Sequence, residues 1–421
     1  MSERRALEVS EIKNEELLAM MEGNYESFPF VYGISPEEQI EREKEGGSPF
    51  FLGDVMAQYV THAKNGQLMS AMGAISENLH FEGVPMESTL IHNVWCRPEY
   101  RDQGAIRATF EKVLPKLAEE KMNFACLYAF SQPYYRKFGF EMAGKMQEIT
   151  IPIEFLPITK GEGYFEKMST EKHAEDIRSI YNRFAPAYNF SLTRSYDEFY
   201  HQSFIVDEVY KKARYTYIYY NDTGVPLAYF THESPIERGN HETAPVFTVT
   251  ELVFLQPEAL RAVFSFWGKA YRGQYEIVSF KLPENVDPTL FIGEWWRQTS
   301  KNASITLNLQ PMLRVLHVEN VLKTARYQGN GQLEISINDP LIPQNNGVFK
   351  VLFAGGKAHL VERKTTGDSD ISMNIGDFTR LIGGGVDTDS IRYMEHVKVT
   401  CPVEHLAPVF YKKAIGVFNY F

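Results

Sequence analysis

The chain has 421 residues, a formal net charge of −11 and 23% charged residues. That acidity excludes the clustered Lys and Arg of a nucleic-acid footprint, and no run approaches the ~18 apolar residues of a membrane-spanning helix. The length predicts about three domains, and 44% hydrophobic residues describe an ordinary globular composition with material for more than one core.

Three cysteines, Cys96, Cys126 and Cys401, form no CxxC pair and are odd in number. No disulfide framework is expected, which points to a reducing, cytoplasmic setting. Met1-Ser2-Glu3-Arg4-Arg5 is not followed by an apolar h-region, so no signal peptide is expected either.

Along the chain, Asn24 to Tyr32 interleaves Glu26 with Phe28, Phe30 and Tyr32. Aromatic rings with one acid suit a polyamine or amino sugar, so these four are pocket candidates. Pro36 to Glu45 is a charged run, read as a solvated helix or as the rim of an entrance for cations. Gln58–Ala63, a Lys64-Asn65-Gly66 turn and Gln67–Met72 read as a hairpin.

The segment from Val94 to Arg107 is the most informative. Val94, Trp95 and Cys96 end a strand pattern, and Arg101-Asp102-Gln103-Gly104-Ala105-Ile106-Arg107 opens a helix. A helix N-terminus offers unpaired N–H groups and a positive dipole end, and the glycine lets backbone approach a ligand. Arg101 and Arg107 add charge. The pattern reads as a pyrophosphate cradle, the bland alternative being an ordinary turn before a surface helix. Ile106, Phe110, Val113, Leu114 and Leu117 recur at helical spacing, with Pro115 predicted to kink or end the helix. A further strand, Phe124–Ala129, leads into Ser131-Gln132-Pro133-Tyr134-Tyr135-Arg136-Lys137-Phe138-Gly139-Phe140.

The pattern then repeats. Tyr215–Tyr220, a turn ending at Gly224 and Val225–Thr231 mirror the first hairpin, the turn glycines being 158 positions apart. Val253-Phe254-Leu255-Gln256-Pro257-Glu258 mirrors Val94 to Glu99, with the prolines 159 positions apart. Two landmarks at nearly equal offset imply duplication. The second copy runs from Pro257 straight into a helix without the glycine, so it lacks the anion pocket. Tyr275–Phe280 reads as its next strand.

From about residue 306 the character changes. Pro311 is expected to begin a helix running through Leu322. Gln332–Ile337 reads as a strand, and Val348–Phe353 with Lys357–Val361 as a hairpin around Gly355-Gly356. Ile375–Ile382 reads as a helix stopped by Gly383-Gly384-Gly385. The final Gly416-Val417-Phe418-Asn419-Tyr420-Phe421 is aromatic where termini are normally polar, and reads as a docked tail or a packing anchor.

These residues carry a resemblance. Arg101-x-x-Gly104-x-Ile106 resembles the coenzyme A-binding motif of GCN5-related N-acetyltransferases, with Ile106 where the family has a small residue. Tyr135-x-x-Phe138-Gly139-Phe140, one strand later, resembles their thiolate-protonating element. The segment from residue 306 resembles a sterol carrier protein. The order of parts, with Met312-Leu313-Arg314-Val315 and terminal Phe421, resembles the Eis (enhanced intracellular survival) acetyltransferases over essentially the whole chain.

The resemblance implies an α/β (α+β) architecture of tandem acetyltransferase folds. The catalytic domain would span 1–150, a degenerate copy 151–305, and the sterol carrier-like domain 306–421. It implies acetyl-CoA as co-substrate and N-acetylation of a primary amine on a small polycationic, aminoglycoside-like substrate through a ternary complex. Tyr135 would be the general acid and the Phe421 carboxylate the general base. Val94, Trp95, Cys96, Arg101 to Arg107, Ser131 and Gln132 would hold the coenzyme. A homo-oligomer, as in hexameric relatives, is also implied. A lipid-binding scaffold using the C-terminal fold, or a protein lysine acetyltransferase, is the alternative. Scattered histidines without ligand spacing give no metal site.

Overall fold

The computed structural model describes residues 7–28, 35–38, 40–41, 56–161, 163–194, 212–235, 246–293, 303–309 and 311–417. They form an α/β architecture with three sheets. Two compact units emerge: the described residues of 1–144 and 311–413 form one, those of 145–310 and 414–417 the other.

In the first unit a seven-stranded sheet runs in the order Glu8–Glu11, Met56–His62, Leu68–Phe81, Val84–Cys96, Phe124–Leu127, Met312–Val315, Glu141–Met142. The expected hairpin at Lys64–Gly66 is present, with Gly66 at φ +82° and the Asn65 side chain accepting from the Gln67 N–H. Both faces of this sheet are covered. On one, the Ala105–Glu119 helix buries Ile106, Phe110, Val113, Leu114 and Leu117, the face its spacing predicts. Pro115 does not end this helix. It removes one N–H donor from a turn beside exposed Glu111, and the helix continues to Glu119. On the other face, the Leu17–Ser27 helix sets Met20 and Met21 against Val60, Ala71 and Trp95.

Met312–Val315 corrects the expected helix at Pro311. These four residues are fully buried and pair with Phe124–Leu127 on one side and Glu141–Met142 on the other. A four-residue ladder on one edge, a two-residue ladder on the other and the Val315 N–H donating to Thr379 Oγ1 pair this backbone, and that tertiary pairing overrides the local apolar spacing. The helix starts only at Val318 and ends at Thr324, capped by the His317 ring accepting from the Asn320 N–H.

The same unit carries a five-stranded sheet ordered Lys357–Lys364, Gly347–Ala354, Gly331–Asn338, Ile371–Asn374, Lys398–Val399. The hairpin around Gly355-Gly356 forms as expected, and the Ile375–Ile382 helix stops at Gly383.

The second unit repeats the plan. Its sheet runs Ser304–Leu309, Lys145–Pro152, Ile277–Pro283, Val246–Phe254, Pro226–Pro235, Lys212–Tyr220, Tyr164–Lys167. The hairpin predicted around Gly224 is present, closed by the Asn221 side-chain Oδ1 accepting from the Thr223 and Val225 N–H groups. Trp267, Phe264 and Val263 of the Pro257–Ala270 helix are fully buried in its core. In both sheets one long strand has a parallel neighbour for only three residues: Thr89–Ile91 beside Ala125–Leu127, and Val246–Thr248 beside Ile277–Ser279.

Candidate active site

The pairing of the Val84–Cys96 strand with Phe124–Leu127 ends at Ile91, and this split opens a cleft beside Asn93 to Cys96, which have no paired strand on that side among the described residues. On the opposite edge the register with Leu68–Phe81 shifts between Ala71 and Gly73, a bulge that absorbs one extra residue. Asn93 sits there at φ +48°. A bulge bends its strand and increases its twist, which helps explain why the two parallel strands diverge here. The edge N–H and C=O groups of residues 93–96 can pair with an extended ligand as a strand would.

At the end of this strand the Arg97 N–H donates to the Met69 carbonyl, and a 3₁₀ turn at Pro98–Tyr100 follows. Asp102 then adopts φ +62° and Gly104 φ +87°. Gly104 is the N-cap of the Ala105–Glu119 helix, with no side chain capping it. Its neighbourhood is open, so the left-handed backbone, not lack of room, is what demands glycine. The N–H groups of Ala105, Ile106 and Arg107 have no intrahelical acceptor and carry the positive end of the helix dipole. The Gln103 amide donates to the Glu99 carbonyl, which holds the loop in shape. Arg101 and Arg107 are exposed, with Arg107 3.6 Å from Glu111 and 5.9 Å over the Phe138 ring.

At Ile106, where the loop departs from the motif it resembles, the bulky side chain turns away from the loop. Its side chain is 8% exposed and packs into the core beside Phe110 and Tyr135, leaving only its backbone in the loop.

Tyr135 lies in the short Gln132–Arg136 helix, where the Ser131 carbonyl accepts from the Tyr134 and Tyr135 N–H groups. Ser131 and Gln132 are half-buried at its start. Tyr135 is 2% exposed, with its ring edge-on to Phe110 and Phe140. Burial pushes its phenol above the ordinary range, with Tyr134 adding to the effect. Tyr134, which sequence reasoning passed over, is half-buried, and its phenol is raised by burial and by Cys96, then lowered by Arg107. It therefore stands within electrostatic reach of both the cleft strand and the cradle loop. The doublet Tyr134-Tyr135 was the available signal. Burial also raises the Cys96 thiol, against the opposing Arg101 charge.

Of the expected amine pocket, Glu26 is exposed near the end of its helix, and Phe28 packs against the Trp95 cluster. Gly23 of that helix admits the Trp95 ring where any Cβ would collide. Phe30, Tyr32 and the terminal Phe421 lie outside the described residues. His92, on the bulge, stacks over Gly73, and burial lowers its pKa to about 4. The segment before Val417 is anchored: the side chain of Lys413, 5% exposed, is ion-paired with Glu82, and Asn189 exchanges hydrogen bonds with Ala414 and Gly416.

The second unit keeps the split but not the cradle. Its helix begins at Pro257 after an extended Gln256, without a left-handed residue. A buried Arg194 instead binds Glu251 at 2.5 Å and stacks 3.8 Å over Tyr181. No group of three or more His, Cys, Asp or Glu among the described residues could hold a metal ion, and none of their helices is long and apolar enough to cross a membrane.

Residues 11–143 match the acetyltransferase (GNAT) domain family, and residues 318–414 match the sterol carrier protein domain family. The chain carries a GNAT acetyltransferase domain. No curated protein matches the chain by sequence. Among solved structures it is similar to a probable N-acyltransferase from Enterococcus faecalis V583, 21% identical, TM-score 0.82, covering 99% of this chain and 100% of that one. A GCN5-related N-acetyltransferase from Anabaena variabilis ATCC 29413 is 19% identical with TM-score 0.82 over 99% and 100% of the two chains. Eis1 from Mycobacterium abscessus is 15% identical with TM-score 0.78 over the same shares. At these identities the likeness is one of fold. In the GNAT domain, the split strand and the left-handed glycine belong to the residues 11–143 that match.

Proposed function

We propose that the protein transfers the acetyl group of acetyl-CoA to a primary amine of a small polycationic, aminoglycoside-like substrate, by direct attack in a ternary complex. The observation that carries this reading is the joining of a split strand edge at residues 93–96 to a helix N-terminus at Gly104 that no side chain caps. The second copy has lost that cradle.

In this reading the N–H groups of Gln103, Gly104 and Ala105, with Arg101 and Arg107, hold the pyrophosphate. Val94, Trp95 and Cys96 pair with the pantetheine arm as an added strand, and their backbone polarises the thioester carbonyl. Ser131 and Gln132 complete the coenzyme site. Glu26, Phe28, Phe30 and Tyr32 receive the cationic substrate, which the acidic surface steers inward. The amine nitrogen attacks the acetyl carbon, an N–C bond forms, and the C–S pair leaves on sulfur. Tyr135 donates its proton to that sulfur, and the Phe421 carboxylate accepts the proton lost by nitrogen. An ordinary α-carboxyl near 3.3–3.7 is a weak base, so the tail must dock where water is scarce. We assign the catalytic domain to 1–150, a framing copy to 151–305 and the tail-delivering domain to 306–421. A cytoplasmic homo-oligomer, a hexamer in this reading, fits this scheme.

The test is thiol release from acetyl-CoA with aminoglycosides, polyamines and lysine peptides. Turnover on multi-amine small molecules that collapses in Tyr135→Phe, and in a chain extended beyond Phe421, supports the assignment. Turnover confined to lysine peptides, or coenzyme binding without turnover on any amine, overturns the substrate class.

A further inference from the structure

The turn that presents Tyr135 is supported by a residue from the far end of the same unit. Arg314, on the Met312–Val315 strand, is fully buried, and its Nη2 donates to Asp339 Oδ1 at 2.7 Å. Asp339 is held in turn by the Leu341 and Ile342 N–H groups and by the Asn345 amide. The Nε and Nη1 atoms of Arg314 have no hydrogen-bond partner among the described residues, so Asp339 and packing alone orient the guanidinium.

That guanidinium lies under Gly139. Nη1 is 2.5 Å from the point a Gly139 Cβ would occupy, and Ile375 Cγ2 is 2.6 Å from it. Gly139 is left-handed at φ +79°. Its N–H donates to the Arg136 carbonyl, while the Tyr135 carbonyl accepts from the Phe138 and Phe140 N–H groups. Arg136 closes the turn with two hydrogen bonds to Glu141, at 2.7 and 2.9 Å. Burial would raise the Glu141 carboxyl, but Arg136 overcomes this and keeps it below its ordinary value. A buried cation with a single partner is poor value as a stabiliser, since an apolar side chain of similar size packs at least as well.

We propose that Arg314, fixed by Asp339, is the positioning residue for Tyr135: it sets the height of the Phe138–Gly139–Phe140 turn and so the aim of the phenol. The sterol carrier-like segment then serves the acetyltransferase site as a brace. This rests on the assignment of Tyr135 as the acid.

The experiment is a double-mutant cycle in the full chain, with kcat and both KM values read by thiol release and folding checked by thermal melting. Arg314→Lys should lower kcat about tenfold or more, the scale of a sub-ångström to 1 Å misplacement, with the acetyl-CoA KM within about twofold of wild type. Added to Tyr135→Phe it should lower kcat no further. Effects that multiply, or a KM that rises as kcat falls, overturn the proposal and leave Arg314 merely structural. Should Arg314→Lys not fold, Gly139→Ala lifts the same turn with Arg314 in place, and must show the same loss, absent in the Tyr135→Phe background. Full kcat in Tyr135→Phe alone would instead refute the acid assignment, and the brace with it.

Discussion

The rings of Tyr134 and Tyr135 meet edge to face, centroids 5.4 Å apart and planes at 89°. Adjacent in sequence, they answer to different surroundings: Tyr135 belongs to the core around Phe110, and Tyr134 responds to Cys96, Arg107 and Asp102 at the cleft. Tyr135→Phe keeps the ring and its packing, so the fold should hold while kcat drops about a hundredfold, the usual worth of a positioned acid. Tyr134→Phe should cost less than about tenfold. A larger loss in Tyr134→Phe would transfer the role of acid to Tyr134. Because burial raises the Tyr135 phenol, kcat should not decline between pH 8 and 10 through loss of this proton.

Gly104 and Ile106 separate two effects within one motif. Gly104→Ala places a Cβ on a backbone at φ +87°, a strain of about 1–2 kcal/mol that is relieved by flattening the loop. Acetyl-CoA affinity should fall about tenfold by calorimetric titration, with most of the thermal stability retained. Ile106→Ala empties core volume and should cost about 2–5 kcal/mol in denaturant unfolding. Equal affinity losses in the two variants would contradict the placement of the Ile106 side chain.

Two histidines, His232 buried and His92 half-buried, make the fold acid-sensitive. Burial lowers both His92 and His232 from 6.5 to about 4. The unfolded chain therefore binds these protons first, so the stability each neutral ring contributes is complete above pH 6.5 and is lost as pH falls towards 4. The full loss is roughly 3 kcal/mol per histidine. Denaturant midpoints of wild type should drop between pH 7 and 4.5, and His232→Phe should flatten that drop. An unchanged slope in the variant would show that carboxylates dominate instead.

The cysteines report on the cleft without any assay of turnover. Cys126 is fully buried with its thiol pushed up by burial, and should label with maleimide only on unfolding. Cys96, half-buried on the cleft strand, should label slowly, and acetyl-CoA should slow it further. Labelling of Cys96 that ignores saturating acetyl-CoA would place the donor elsewhere.

Much of the candidate site's backbone geometry was legible before any fold was known, because its determinants are local. An Arg-x-x-Gly at a strand-to-helix junction needs only its own backbone to expose N–H groups, and Gly104 adopts the left-handed conformation that such a turn requires. The amphipathic face from Ile106 to Leu117, the two hairpins and the helix stop at Gly383 are likewise short-range, set by side-chain period and turn chemistry. The duplication was legible for the same reason, since turn glycines and strand-ending prolines recur in order.

What short-range pattern could not supply was partnership across the chain. Met312–Val315 has the apolar content of either a helix or a strand, and becomes a strand because Phe124–Leu127 and Glu141–Met142 leave a slot with unpaired backbone on both sides. The same insertion carries Arg314 beneath Gly139, a contact that neither residue's neighbours announce. The side chain of Ile106, ambiguous as a letter in a motif, is assigned to the core only by the helices and strands around it. Period and turn chemistry thus determined the elements and the cradle. Backbone pairing between distant segments decided which strand completes the sheet and which residue supports the tyrosine.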